Sequence, residues 1–97
     1  MEAKIWNFSS WITETNPEEL RTEFGAMLKK AGFNIVNLQE HYFVPFGYTA
    51  LWLLSESHFA IHTFPEYNRT YVELSSCNQA MYDKFVELIE KDFDAIQ

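Results

Sequence analysis

Apolar residues along this chain change their spacing in ways that mark each element in turn. Residues 3–12 crowd aromatic and β-branched types together and predict a first strand. From Leu20 onward the spacing becomes helical: Leu20, Phe24, Met27, Leu28 and Ala31 form a single stripe. Asn16 stands ahead of Pro17, Glu18 and Glu19, giving an N-cap, a proline suited to the first turn and two acids against the positive end of the helix dipole. Gly32 supplies the stop, so the pattern predicts a helix over 17–31.

The β pattern then returns. Residues 33–43 carry Ile35, Val36 and Leu38 and run into Pro45-Phe46-Gly47, a turn signal. Residues 48–54 are almost continuously apolar and predict a central, well-covered strand. Residues 58–64 predict a further strand, closed by Pro65 and the polar stretch 66–69, and 70–76 predict another. Asn78 can cap a last helix, whose Met81, Phe85, Leu88, Ile89 and Phe93 make one face. The order β-α-β-β-β-β-α with short links predicts an α+β fold: a two-layer α/β sandwich with two helices on one face of an antiparallel sheet. The opposite sheet face would be bare although 48–54 is apolar on both sides. Two protomers are therefore expected to pair their sheets, giving a homodimer with a four-layer αββα sandwich.

Composition narrows the possibilities. No linker, repeat or low-complexity segment interrupts the chain, and its 97 residues are expected to form one domain, 1–97. Nine Phe, five Tyr and three Trp exceed what so small a core usually absorbs, so some rings are expected to line a pocket or a subunit contact. Fourteen acidic against seven basic residues leave a net charge of −7, without the basic footprint that nucleic acid requires. No apolar run reaches the length that spans a bilayer, and Met1-Glu2-Ala3-Lys4-Ile5-Trp6 lacks the features of a signal peptide. The single cysteine, Cys77, has no partner for an intramolecular disulfide, so a reducing cytoplasm is the expected location. The Asn68-Arg69-Thr70 sequon then reads as accidental.

Candidate chemistry concentrates in the run from Glu56 to Glu66, which reads Glu-Ser-His-Phe-Ala-Ile-His-Thr-Phe-Pro-Glu, followed by Cys77 one strand later. This resembles the bacterial and archaeal S-adenosylmethionine decarboxylase proenzyme family, whose members carry E-S-H-x-x-x-H-T-x-P-E and then a cysteine. The resemblance runs from His41 to Cys77 and implies a pyruvoyl-dependent lyase serving spermidine synthesis, with no pyridoxal phosphate and no metal. By the resemblance, the Ser57 hydroxyl attacks the Glu56 carbonyl, converting the amide to an ester. β-Elimination then cuts the chain between Glu56 and Ser57 and leaves a pyruvoyl group on the second fragment. A ketone in that position forms a Schiff base with the substrate amine and takes up the electrons that decarboxylation leaves on Cα.

The resemblance also assigns roles by position. His62 matches the proton acceptor in processing, a task suited to a group titrating near neutrality. Cys77 matches the acid that returns a proton to Cα after CO₂ leaves. Thr49 falls where a hydroxyl supports processing. Phe43 and Phe64 match the rings that enclose adenine, with the sulfonium charge over ring faces, and Glu66 matches the acid that binds ribose hydroxyls.

Taken singly, each of these residues has an ordinary structural role: a serine at a strand start, a small buried cysteine, core phenylalanines. Their joint spacing separates them from that background. His58 and His62 would share one strand face about 13 Å apart, too far for one ion, so no metal site is expected. His41 flanks the run and takes no role. Period-2 alternation places Ser57 with Phe59 and Ile61 and puts His62 on the opposite face. Either a bulge intervenes or Ser57 lies in a turn before the strand; the turn is favoured, since a strained peptide ahead of Ser57 would help the acyl shift.

The chain departs from the family pattern in three places. Its opening strand, from Lys4 to Trp11, is unlike the usual one; Asn78 follows Cys77 where glycine is common; and the chain stops soon after the last helix. Three readings stay open: an S-adenosylmethionine decarboxylase, a decarboxylase of the same mechanism acting on ornithine or arginine, and an uncleaved paralogue that binds a nucleoside-like ligand without catalysis.

Overall fold

The computed structural model describes residues 3–93, 95 and 96. Strand β1 is Trp6–Ile12, helix α1 Pro17–Ala31, β2 Ile35–Tyr42, β3 Tyr48–Leu54 and β4 Ser57–Phe64. A 3₁₀ turn, Pro65–Tyr67, leads to β5 (Arg69–Ser76), α2 (Gln79–Asp92) and a two-residue strand β6 (Ala95–Ile96). The sheet order is β2-β3-β4-β5-β1-β6, and every pairing is antiparallel. The α+β sandwich read from the sequence is thus the fold observed, extended by β6 along β1.

Caps explain why α1 has the limits its sequence predicts. The Asn16 side chain accepts from the Glu19 amide at 3.0 Å. Gly32 takes a left-handed conformation (φ 105°) and donates to the last carbonyls of the helix, while the Phe33 amide donates back to Leu28 at 3.0 Å. That use of Phe33 is why β2 begins at Ile35 and not at residue 33. Similarly β1 begins at Trp6, the register partner of Ser76, where β5 ends. In α2 the Asn78 side chain accepts from the Met81 amide, and Phe93 serves as the C-cap.

The core lies between the helices and one sheet face. Tyr48, Ala50, Trp52 and Leu54 of β3, Phe59 and Ile61 of β4 and Val72 and Leu74 of β5 meet Leu20, Phe24, Leu28, Phe85 and Ile89. Phe24 is fully buried and stacks on Phe93 at 4.8 Å, with Phe59 at 4.8 Å and Trp52 at 6.5 Å. Alternate residues point the other way. There β3, second from the sheet edge, leaves Leu51 and Leu53 41% and 50% exposed on the face expected to be bare in one protomer. No helix among the described residues is long and apolar enough to cross a membrane.

At the β2 edge one polar cluster ties α1 to the sheet. The Arg21 guanidinium donates to Glu40 at 3.0 Å, and the Tyr48 hydroxyl donates to the same carboxylate oxygen. Both hydrogen bonds favour the ionised carboxylate, Tyr48 more strongly, and hold Glu40 below the usual carboxylate range. Burial, reinforced by that carboxylate, pushes the Tyr48 phenol above its ordinary value.

Candidate functional site

Strand β4 carries the candidate residues, and its two ends do different things. At its start, Ser57 is paired in register with both Leu54 and Ser76, so it is the first residue of the strand and not part of the preceding turn. No register shift interrupts β4, which corrects both alternatives considered for the faces of Ser57 and His62. Regular alternation holds: Ser57 points to the helix side with Phe59 and Ile61, and His62 points to the outer face.

The turn that does exist is the two-residue Ser55-Glu56 link between β3 and β4. Glu56 has a left-handed backbone (φ 58°), a conformation that costs a residue with a Cβ about 1–2 kcal/mol. The expected strain therefore sits in the residue before Ser57. Asn34 braces this turn: its side-chain amide donates to the Ser55 hydroxyl at 2.9 Å, and its carbonyl accepts from the Ser55 amide at 3.1 Å. The Cys77 thiol, exposed just beyond the end of β5, donates to the Glu56 carbonyl at 3.2 Å. Cys77 thus touches the carbonyl of the peptide that joins Glu56 to Ser57.

The opposite end of β4 gathers the remaining predicted residues. Phe43, Thr49, His62, Phe64 and Glu66 line one cavity of about 330 Å³, together with Phe46, Gly47 and Thr63. Thr49 and His62 are cross-strand partners, and the threonine hydroxyl lies 2.9 Å from His62 Nδ1. Phe43 packs edge-on against His41 at 4.4 Å. Phe64 rests on Trp11 at 5.7 Å, and Trp11 in turn lies under the Arg69 guanidinium. Rings with exposed faces, a hydroxyl-held imidazole and one carboxylate suit a flat ligand with apolar faces and hydroxyl groups.

Sequence reading missed Phe46. It is 54% exposed and also borders a second cavity with Pro65 and Glu66. An aromatic ring between two turn formers, Pro45 and Gly47, was the signal that could have found it, since turn chemistry alone has no use for one there. Gly47 is required at its place by its backbone, whose φ of 114° strains any residue with a Cβ. Asn34 and Ser76, which touch the Ser55-Glu56-Ser57 segment, were also missed, as both belong to distant elements.

The two groups lie far apart within one chain. Ser57 and His62 are five residues apart on β4, about 16 Å along an extended strand, and on opposite faces. Ser57, Glu56 and Cys77 form one cluster; Thr49, His62, Phe43, Phe64 and Glu66 form another. No group of three metal-ligating side chains occurs among the described residues.

Comparisons with known proteins identify the family. A family model described as S-adenosylmethionine decarboxylase matches residues 7–97. The S-adenosylmethionine decarboxylase proenzyme of Prochlorococcus marinus (strain MIT 9313) is 40% identical over 77 residues, which are 78% of this chain and 62% of that protein. The namesake from Thermosipho africanus (strain TCF52B) is 36% identical over 62 residues, 64% of this chain and 48% of that one. The chain thus spans less than two thirds of the length of these relatives. The crystal structure of the adenosylmethionine decarboxylase from Aquifex aeolicus VF5 superposes with a TM-score of 0.71 at 19% identity, covering 99% of this chain and 89% of that one, a likeness of fold.

Proposed function

This chain belongs to the S-adenosylmethionine decarboxylase family, and from that premise we propose that it is a self-cleaving precursor of a pyruvoyl-dependent enzyme that decarboxylates S-adenosylmethionine for spermidine synthesis. The observation that carries the reading is the Glu56–Ser57 peptide, with a left-handed Glu56 on one side and the Cys77 thiol on its carbonyl at 3.2 Å.

The proposed processing begins when the Ser57 hydroxyl attacks the Glu56 carbonyl carbon. The C–N bond gives way to a C–O ester, and the hydroxyl proton ends on the freed Ser57 nitrogen. β-Elimination removes the Ser57 Cα proton to a base, breaks the Ser57 Cβ–O bond and releases Glu56 as a carboxylate. Water then replaces nitrogen, which leaves as ammonia, and the pyruvoyl group remains. That group supplies the electron sink for decarboxylation. Cys77, already beside this position, holds at Sγ the proton for the carbon that CO₂ leaves. His62, oriented by Thr49, accepts a proton during processing, while Phe43, Phe64 and Glu66 hold the nucleoside and the sulfonium.

Two copies would shorten the distance along β4, with the Ser57 side chain still on the helix side of its own sheet. Packed outer face to outer face about a two-fold axis, with their β4 strands antiparallel, they would bring the Ser57 end of each against the pocket end of the other. The exposed Leu51 and Leu53 supply apolar surface for such a contact. Sedimentation is expected to show a dimer at micromolar concentration, and a monomer there would overturn this arrangement.

Mass spectrometry of the purified chain tests the reading. Two fragments divided between Glu56 and Ser57, the second blocked at its N-terminus, are expected, with CO₂ released from carboxyl-labelled S-adenosylmethionine. Release from ornithine or arginine instead would move the substrate. An intact chain after long incubation, with no CO₂ from any of them, would leave only a non-catalytic binder.

A further inference from the structure

The Ser57 hydroxyl is held on the helix side of the sheet, where it donates to the Ser76 hydroxyl at 3.0 Å. Both side chains are buried, Ser57 at 8% and Ser76 at 1% exposure, and the two residues are register partners on β4 and β5. Ser76 has its own orientation fixed. Its oxygen accepts from the Asn78 amide at 3.0 Å, and its proton is directed to the Asn78 carbonyl at 3.3 Å. Asn78 is in turn the N-cap of α2. A chain of contacts therefore runs from the start of α2 through Ser76 to the Ser57 hydroxyl.

A serine side chain has three staggered rotamers, and they place its oxygen differently relative to the carbonyl carbon of the preceding residue. With its own proton committed to Asn78, Ser76 presents only lone pairs toward Ser57, and so selects one placement of that oxygen. We propose that Ser76 is the positioning residue that holds the Ser57 hydroxyl for its attack on the Glu56 carbonyl. The proposal rests on the self-cleavage reading above and adds to it the group that organises the nucleophile. Ser76 gains no bond in the step: the new bond joins Ser57 oxygen to the Glu56 carbon, the peptide C–N bond breaks, and the proton leaves Ser57 oxygen for Ser57 nitrogen.

The test follows fresh full-length chain made by cell-free translation, with fragments timed by mass spectrometry. Ser76→Ala is expected to slow cleavage about tenfold or more, the effect on a rate of losing one ordinary hydrogen bond. Ser76→Thr, which restores a hydroxyl, should recover most of the rate. Hydroxylamine, which cuts esters far faster than amides, separates the steps: Ser76→Ala should accumulate no hydroxylamine-sensitive ester. Melting curves of Ser57→Ala and of Ser57→Ala with Ser76→Ala show whether the fold survives; if it does not, Ser76→Cys, close in shape but a weak hydrogen-bond partner, carries the same expectation. Cleavage by the folded variant at the wild-type rate or faster overturns the proposal, as does build-up of the ester. A wild-type chain that never cleaves overturns the self-cleavage reading and this proposal with it, whereas cleavage indifferent to Ser76 overturns the proposal alone.

Discussion

The Cys77 sulfur and the Glu56 carbonyl oxygen are 3.2 Å apart, although 21 residues separate them in the chain. One thiol thereby stands at the bond whose cleavage is proposed and, were that bond cut, beside the new end of the second fragment. Cys77→Ser keeps a side chain of similar shape but replaces a thiol by a hydroxyl, which gives up its proton far less readily. Release of CO₂ from labelled S-adenosylmethionine is expected to fall by about 100-fold or more, the usual contribution of a placed proton donor. Unchanged turnover in that variant would remove Cys77 from the chemistry.

Phe46 makes a third ring around the cavity that Phe43 and Phe64 line. Removing it should weaken binding more than turnover, because it is placed to hold the ligand and not the reacting bond. Phe46→Ala is expected to raise KM roughly 2- to 30-fold, the span of ring contacts with a cationic ligand, with kcat little changed. Phe46→Tyr should bind nearly normally. Steady-state kinetics on both variants checks this, and an equal fall of kcat would argue against a binding role.

The 2.9 Å contact between Thr49 and His62 Nδ1 fixes one nitrogen of the imidazole and so the direction of the other. Thr49→Val keeps the shape and deletes the hydroxyl. Cleavage between Glu56 and Ser57 should slow about tenfold, as for the loss of one hydrogen bond, and Thr49→Ser should restore it. Time courses of fragment formation decide the matter.

The Arg21-Glu40-Tyr48 cluster predicts how stability depends on pH. Glu40 titrates lower in the folded chain than in the unfolded one, so its contribution is present above the unfolded carboxylate value near 4.3 and is lost as pH falls through the folded value. Tyr48 is shifted the other way, so its contribution is full below about pH 10 and fades as pH rises beyond it. Denaturant titrations are expected to show loss of stability below about pH 4 and again above about pH 10. Glu40→Gln should flatten the acid limb relative to wild type; an unchanged limb would place the sensitivity elsewhere.

Much of this was legible in the sequence because the signals were local. Asn16, Pro17 and Gly32 bound α1 to the residue, and the apolar run 48–54 gave the limits of β3. The β2 start was misjudged because the Phe33 amide is taken by the helix end, and the register shift between Ile35 and Asn37 leaves no mark in residue type. Thr49, His62, Phe43, Phe64 and Glu66 do gather in one cavity. Period-2 alternation already placed Ser57 and His62 on opposite faces, and it was right where a bulge or a turn was preferred. The residues that brace the Ser57 end, Asn34 and Ser76, were not legible, since only the paired sheet brings them there.

The register that seats Ser57 opposite Ser76 also sets a clock for the newly made chain. Nineteen residues separate the two, and Asn78, which orients Ser76, follows later still. While the ribosome has delivered only the β3-β4 hairpin, the nucleophile has no partner and the scissile peptide has no thiol on its carbonyl. If scission occurs as proposed, it would wait until β5 is paired and α2 has begun, which would protect a half-made chain from cutting itself. The cut would then be a late event in the making of the chain.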